Sequence, residues 1–201
     1  MTGKMLTSAD LQVAFGELGQ RALDQGLLLE ISMYGGAAIM LAYAQRPATR
    51  DVDAVFHDSG SAVRRLAAEV ARDHDWPEDW LNDGVKGFLS HRDREPGLKR
   101  LFGSYPDEKV PGLRVMVAAP EYLFAMKCMA MRIDDEMDNS TDVSDIRKLA
   151  AICDIRDASH AMNVVESFYP SRQISPKTVF GIEAIFENHT PDPKNDLGRR
   201  P

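Results

Sequence analysis

From Ala9 to Gln25 the apolar residues Leu11, Phe15, Leu18 and Ala22 recur at three- and four-residue spacing, the period of an amphipathic helix. Thr7 or Ser8 supplies its cap and Gly26 its stop. The period then changes. Leu27-Leu28-Leu29 and Ile31 form an apolar run into Tyr34-Gly35-Gly36, followed by a stretch rich in Ala, Met and Leu. A polar turn, Arg46-Pro47-Ala48-Thr49-Arg50, precedes Asp51-Val52-Asp53-Ala54-Val55-Phe56, where carboxylates alternate with apolar residues. The pattern from Ile31 to Phe56 predicts strand, tight Gly-Gly turn, short helix, loop and strand, and the chain is organised around this unit.

Val63, Leu66, Ala67 and Val70 mark the inward face of a second helix ending near Trp76-Pro77, with Asp58-Ser59-Gly60-Ser61 as its loop and cap. Residues 78–86 read as a turn-like segment, with Asn82 and Asp83 as turn caps first and polar site residues second. Gly87-Phe88-Leu89 opens a strand, His91 to Gly97 is a charged loop, and Leu98 to Tyr105 is a short strand or an irregular edge. Leu113 to Val117 is the clearest later strand. Pro120 opens the next helix, with Leu123, Met126 and Ala130 on one face, Lys127 and Met131 close to it, and Met126, Met129 and Met131 as core filler. Ile133 to Thr141 is an acidic loop, and Asp142 caps the following helix with Asp145 in its first turn. Asp157 or Ser159 starts a helix through Phe168, and Ser175-Pro176 starts another through Glu187. The expectation is an α/β (α+β) fold: a small mixed sheet flanked by helices over 1–119, a helical region packed on it over 120–187, and a loose tail over 188–201.

Composition narrows the function. With 44% hydrophobic and 27% charged residues in 201, the chain can bury a substantial core under a soluble surface. A net charge of −7 argues against a protein dominated by non-specific DNA binding, although Arg and Lys cluster from Lys86 to Arg100. Cys128 and Cys153 lie in no Cys-x-x-Cys pattern, and the five histidines are scattered without zinc-ligand spacing. The amino terminus has no apolar signal-like stretch, and no apolar run reaches membrane-spanning length, so a cytoplasmic protein with no membrane partner is expected.

The candidate chemistry lies in the central unit. Residues i and i+2 of a strand project to one side, so Asp51 and Asp53 face one way and Val52 the other. Adjacent carboxylates repel unless a cation neutralises them, and Mg²⁺ takes carboxylate and substrate phosphate oxygens together. The Gly35-Gly36 pair lets the backbone approach a phosphate at a helix amino terminus. Alone, Asp-x-Asp is usually two solvated acids and Gly-Gly usually a turn. Their coupling in one unit points to a site.

Tyr34-Gly35-Gly36-Ala37-Ala38, then Arg46-x-x-Thr49-x-Asp51-Val52-Asp53, resembles the active-site pattern of the nucleotidyltransferase superfamily with the DNA polymerase beta-like fold. Pro120 to Lys127, Arg132 and Asp142-x-x-Asp145-Ile146-x-x-Leu149 match its second part. The joint pattern is similar to AbiEii-like nucleotidyltransferases, which include toxins of type IV toxin–antitoxin systems, and more so to their small DUF6036-type bacterial relatives. It covers roughly Leu27 to Ala151. The resemblance implies Gly35 and Gly36 at the triphosphate, with Arg46 and Thr49 in the nucleotide-binding set. It implies Asp51 and Asp53 as Mg²⁺ ligands, Lys127 on the phosphates and Arg132 assisting. Asp145 would complete the catalytic set by orienting the acceptor hydroxyl; Asp142 stays a cap. The substrate would be an NTP, the acceptor a hydroxyl of a protein, tRNA or other RNA, or small molecule, and a cognate antitoxin a further partner.

Two departures stand out. Ala37 follows the glycines where many members carry Ser or Thr, and the strand from Leu113 to Val117 bears Arg114 but no third carboxylate. These motivate an alternative: a fold retained as a binding module (antitoxin, sensor or adaptor) without catalysis. A metal-dependent phosphohydrolase or nuclease using Asp51 and Asp53 ranks last, since such sites recruit more His or carboxylate ligands than the neighbourhood offers.

Overall fold

The computed structural model describes residues 4–57, 60–132 and 140–187. Asp58-Ser59, most of the acidic loop and the tail from Asn188 lie outside them. Two compact units divide the chain at Leu123/Phe124.

In the first unit, β1 (Leu6–Thr7) leads into α1 (Ser8–Asp24), β2 (Leu29–Met33), α2 (Gly35–Tyr43), β3 (Ala48–Thr49), β4 (Val52–Phe56) and α3 (Gly60–His74). Then come β5 (Leu81–Asn82), a 3-10 turn over Gly84–Phe88, β6 (Lys99–Tyr105), β7 (Leu113–Ala118) and the start of α4 (Pro120–Ala130). The main sheet has the order β5-β4-β2-β7-β6. Strand β2 pairs antiparallel with β4 and parallel with β7, so the sheet is mixed. This is the expected α/β class.

One face of the sheet is apolar because the strands alternate. Val52 and Ala54 on β4, Ile31 and Met33 on β2, and Val115 and Val117 on β7 are all fully buried. Helix α1 packs on β6, β7 and α3 through Leu11, Phe15 and Leu18. Trp80 is fully buried, and its indole N–H donates to the Ala67 carbonyl at 2.9 Å, which satisfies the one polar group it takes into the core. The intermediate residues of β4, Asp53 and Val55, lie on the opposite face.

Side chains are absent where α1 meets the β6–β7 connection. A Cβ on Gly19 would stand 2.5 Å from the Tyr105 carbonyl oxygen, and one on Gly112 would stand 1.9 Å from the Gly19 carbonyl oxygen. The two backbones touch.

Thr7 caps α1 in a reciprocal box: Asp10 N–H donates to Thr7 Oγ1 at 3.3 Å, and Thr7 N–H to the Asp10 carboxylate at 2.8 Å. The side-chain hydrogen bond from Thr7 holds the Asp10 carboxyl below its usual range. A depressed folded pKa stabilises above the unfolded value and loses that contribution as pH falls through the folded one. Thr7→Ala should therefore cost about 1 kcal/mol in urea unfolding at neutral pH. It should also flatten the stability–pH curve below about pH 4.

In the second unit, α5 (Thr141–Ile152), α6 (Ala158–Phe168), a 3-10 turn over Ser171–Gln173 and α7 (Pro176–Glu187) follow the end of α4. Ser140, not Asp142, caps α5: its hydroxyl accepts from Val143 N–H at 3.2 Å. Asp142 falls inside the first turn, where a carboxylate suits the helix dipole. Asp157 caps α6 and Ser175 accepts from Thr178 N–H at the head of α7. Helices α6 and α7 pack against each other. No helix among the described residues is long and apolar enough to cross a membrane.

Two further expectations need correction. The segment from Glu78 is not only turn: Leu81 and Asn82 form β5, parallel to β4 with Val52 opposite Leu81 and Asp53 opposite Asn82. Gly87-Phe88-Leu89 opens no strand, since Gly84–Phe88 is a 3-10 turn. Such short pairings depend on a neighbouring strand, which local periodicity does not register. The open choice at Leu98 to Tyr105 resolves as both readings together: a strand with a register shift between Leu101 and Gly103, at the sheet edge.

Candidate functional site

The central unit closes on itself. Antiparallel pairing sets Met33 opposite Ala54, and the Tyr34 N–H donates to the Asp53 carbonyl at 2.9 Å. The end of β2 and the start of α2 therefore sit beside the carboxylates of β4. Gly35 has φ +59°, a conformation that favours glycine, and a Cβ there would stand 2.6 Å from Asp53 Oδ2. A Cβ on Gly36 would stand 2.6 Å from Arg46 Nη1 and 2.9 Å from Thr49 Oγ1. Gly35 is required by its backbone conformation, whereas a side chain at Gly36 would have to displace the Arg46 guanidinium and crowd the Thr49 hydroxyl.

Around this turn the structure assembles every residue expected from the first half of the pattern. Arg46 Nε donates to the Ala48 carbonyl at 2.8 Å, while its Nη1 lies over Gly36. Thr49, 2% exposed, donates its hydroxyl to the Asp51 carbonyl at 3.1 Å. It fixes the chain entering β4. Asp51 and Asp53 share the face opposite buried Val52 and are both partly accessible. Asn82 on β5 donates its amide to Asp51 Oδ2 at 3.3 Å and accepts from Gly84 N–H at 2.9 Å. Asn82 thus caps the turn, as expected, and its amide also reaches the Asp51 carboxylate.

Asp83 serves a different purpose. Its carboxylate pairs with Arg64 and with Lys86 Nζ, and the hydrogen bond from Lys86 holds its carboxyl below the usual range. It fastens the 3-10 turn to α3.

Sequence reasoning missed a buried polar triad next to the turn. Tyr34, fully buried, donates its phenol to Asp93 Oδ1 at 2.6 Å, and Lys99 Nζ lies 2.8 Å from Asp93 Oδ2. Burial first, and the Asp93 carboxylate second, push the Tyr34 phenol well above its usual range, so it stays a donor. The triad ties the residue before Gly35 to the 91–97 loop and to β6. Its only sequence signal was the charge cluster from Lys86 to Arg100, which names no partner. Ser32 was also missed: fully buried on β2, its hydroxyl lies 2.8 Å from His57 Nε2 just beyond β4.

The remaining expected residues belong to the second unit. Lys127 Nζ lies 3.0 Å from Asp145 Oδ2 and 3.2 Å from Asp142 Oδ1, and Arg132 Nε lies 3.7 Å from Asp142 Oδ2. Asp145 is 1% exposed, whereas the Arg132 side chain is 86% exposed. The structure thus brings Lys127, Arg132, Asp142 and Asp145 into one charge cluster. Cys128 is buried, which pushes its thiol up and keeps it unreactive.

No cluster of three or more His, Cys, Asp or Glu suited to a metal occurs among the described residues. The donor set at the turn is two carboxylates with an amide at one of them. That set fits a hard ion that fills its shell with water and phosphate oxygens, as Mg²⁺ does, rather than one needing an all-protein cage.

The sequence matches no family model and no curated protein. Among solved structures, it is similar to an antigenic nucleotidyltransferase-like protein from Paracoccidioides brasiliensis. The TM-score is 0.45 and the identity 14%, over 92% of this chain and 100% of that one.

Proposed function

We propose that the chain is a nucleotidyltransferase, moving a nucleoside monophosphate from an NTP to an acceptor hydroxyl with Mg²⁺ held by Asp51 and Asp53. The observation that carries this reading is the contact between Gly35 and Asp53, with a turn bare of side chains against one of two carboxylates on the same strand face. A helix amino terminus attracts phosphate, and carboxylates beside it would repel phosphate unless a divalent ion lay between them. A site combining the two makes sense for a metal–nucleotide pair.

When bound, Mg²⁺ would supply Lewis-acid neutralisation of the phosphate oxygens. The chain's own contribution is positional. The backbone N–H groups at Gly35 and Gly36 take the place of the hydroxyl that Ala37 lacks, and Arg46 at Gly36 brings positive charge to the same point. Asn82 orients the Asp51 carboxylate, and Thr49 fixes the backbone that presents it. The expected roles of Lys127 and Arg132 with phosphate, and of Asp145 with the acceptor, extend the proposal. So does toxin activity relieved by an antitoxin. The competing reading, a binding module without turnover, rests on the absence of a third carboxylate on β7.

The test is calorimetric titration of ATP, GTP, CTP and UTP, each with Mg²⁺, into the wild type and Asp51→Ala/Asp53→Ala. One nucleotide should bind with micromolar affinity and lose it in the double variant. Equal binding by both proteins would refute the site. Binding without pyrophosphate release from any NTP would favour the module.

A further inference from the structure

The face of β4 that carries Asp51 and Asp53 continues through Val55 to His57, and the chain opens there into a cleft of about 760 Å³. Val55 and His57 line it together with Lys86, Arg94, Lys99 and Asp93. That volume is enough for a small ligand of nucleotide size. His57 is not loose: the buried Ser32 hydroxyl holds its Nε2 at 2.8 Å. Lys99 is held by Asp93 at 2.8 Å. Lys86 and Arg94 are exposed. Among the described residues, Lys86, Arg94 and Lys99 meet Asp93 in the cleft while Asp83 pairs with Lys86 at its edge, which leaves a balance of one positive charge and a weakly positive concavity in a chain whose net charge is −7. Such a concavity concentrates field lines and favours an anion.

We infer that this cleft binds the acceptor, and that the acceptor is a small molecule bearing a phosphate group. The inference rests on the proposed nucleotidyl transfer. In that reading the phosphates of the NTP lie at the Gly35–Gly36 turn and the carboxylates. His57 is four residues along the strand from Asp53, about 13 Å at the rise of a β-strand. The nucleoside half of an NTP is uncharged and gives the cations of the cleft nothing to neutralise. An acceptor whose phosphate sits among Lys86, Arg94 and Lys99, and whose hydroxyl points along β4 toward Asp53, uses both ends of the face. The overall negative charge disfavours a long nucleic acid there and favours a compact anion.

The experiment measures binding of glycerol 3-phosphate, of glycerol and of each Mg–NTP to three proteins: wild type, Lys86→Ala/Arg94→Ala and Asp51→Ala/Asp53→Ala. Glycerol 3-phosphate should bind wild type, glycerol should not, and the cleft variant should bind glycerol 3-phosphate about tenfold more weakly or worse. The carboxylate variant should keep glycerol 3-phosphate and lose the nucleotide. Parallel loss of nucleotide and glycerol 3-phosphate in the cleft variant would overturn the inference by assigning the cations to the NTP's own phosphates. Indifference between glycerol 3-phosphate and glycerol would overturn it by removing the anion site. Failure of every NTP to bind wild type would instead strike the nucleotidyl-transfer reading, and with it the acceptor role, while the glycerol 3-phosphate arm would still report whether an anion site exists.

Discussion

Asp53→Asn is expected to lower nucleotidyl transfer by about a thousandfold, the scale of losing one preorganised electrostatic contact to the transition state. The substitution changes charge and little else. Asparagine keeps the size of the side chain packed against Gly35, where the carboxylate oxygen stands 2.6 Å from the site of the missing Cβ. Val52 and Ala54 on either side stay buried on the other face. Turnover is compared well below the thermal midpoint of each protein, so that a lost rate is read from folded protein and separates a group kept for chemistry from one kept for folding. Single-turnover pyrophosphate release, with the NTP selected by titration, gives the rate, and differential scanning calorimetry gives the midpoint. A variant that retained the wild-type rate would remove Asp53 from the chemistry.

Lys127→Met is expected to destabilise the protein by about 3 kcal/mol or more, the scale found when one partner is removed from a buried ion pair. Its ammonium lies 3.0 Å from an Asp145 carboxylate that is only 1% exposed, and 3.2 Å from Asp142. Taking away the cation leaves negative charge in a poorly hydrated place next to a second carboxylate. Methionine preserves the stem, so the loss measures charge rather than volume. Asp145→Asn should cost less, because an amide keeps hydrogen-bonding capacity without charge. Lys127→Met combined with Asp145→Leu should recover part of the loss, since the pair is removed together. Urea unfolding of Lys127→Met, Asp145→Leu and the double variant supplies the cycle; additive effects would mean that the two side chains do not act as a pair. Nucleotide titration of Lys127→Met below its transition reads the phosphate role separately.

The central unit was legible because its chemistry is local. Gly35, Gly36, Asp51 and Asp53 fall within one short stretch, and period-two alternation already sets which way the acids face. Long amphipathic helices were legible for a similar reason, as Leu11, Phe15 and Leu18 on α1 illustrate. What escaped depends on partners far away in sequence. Asn82 reaches Asp51 only because β5 lies beside β4, and Tyr34 finds Asp93 and Lys99 across a fold that no window of residues contains. The misplaced cap of α5 has another cause. Ser140, Thr141 and Asp142 are all capping residue types in succession, and composition alone does not choose among neighbours.

Gly19 and Gly112 lie 93 positions apart, yet they belong to one constraint: the backbone of Gly19 occupies the volume a side chain on Gly112 would need, and the backbone at Tyr105–Pro106 the volume a side chain on Gly19 would need. No compensating side-chain change at a third residue can open that space, since the atoms in the way are backbone atoms. In any collection of descendants of this sequence, both positions should resist drift. That invariance would record where α1 is pinned to the β6–β7 connection and would carry no information about chemistry.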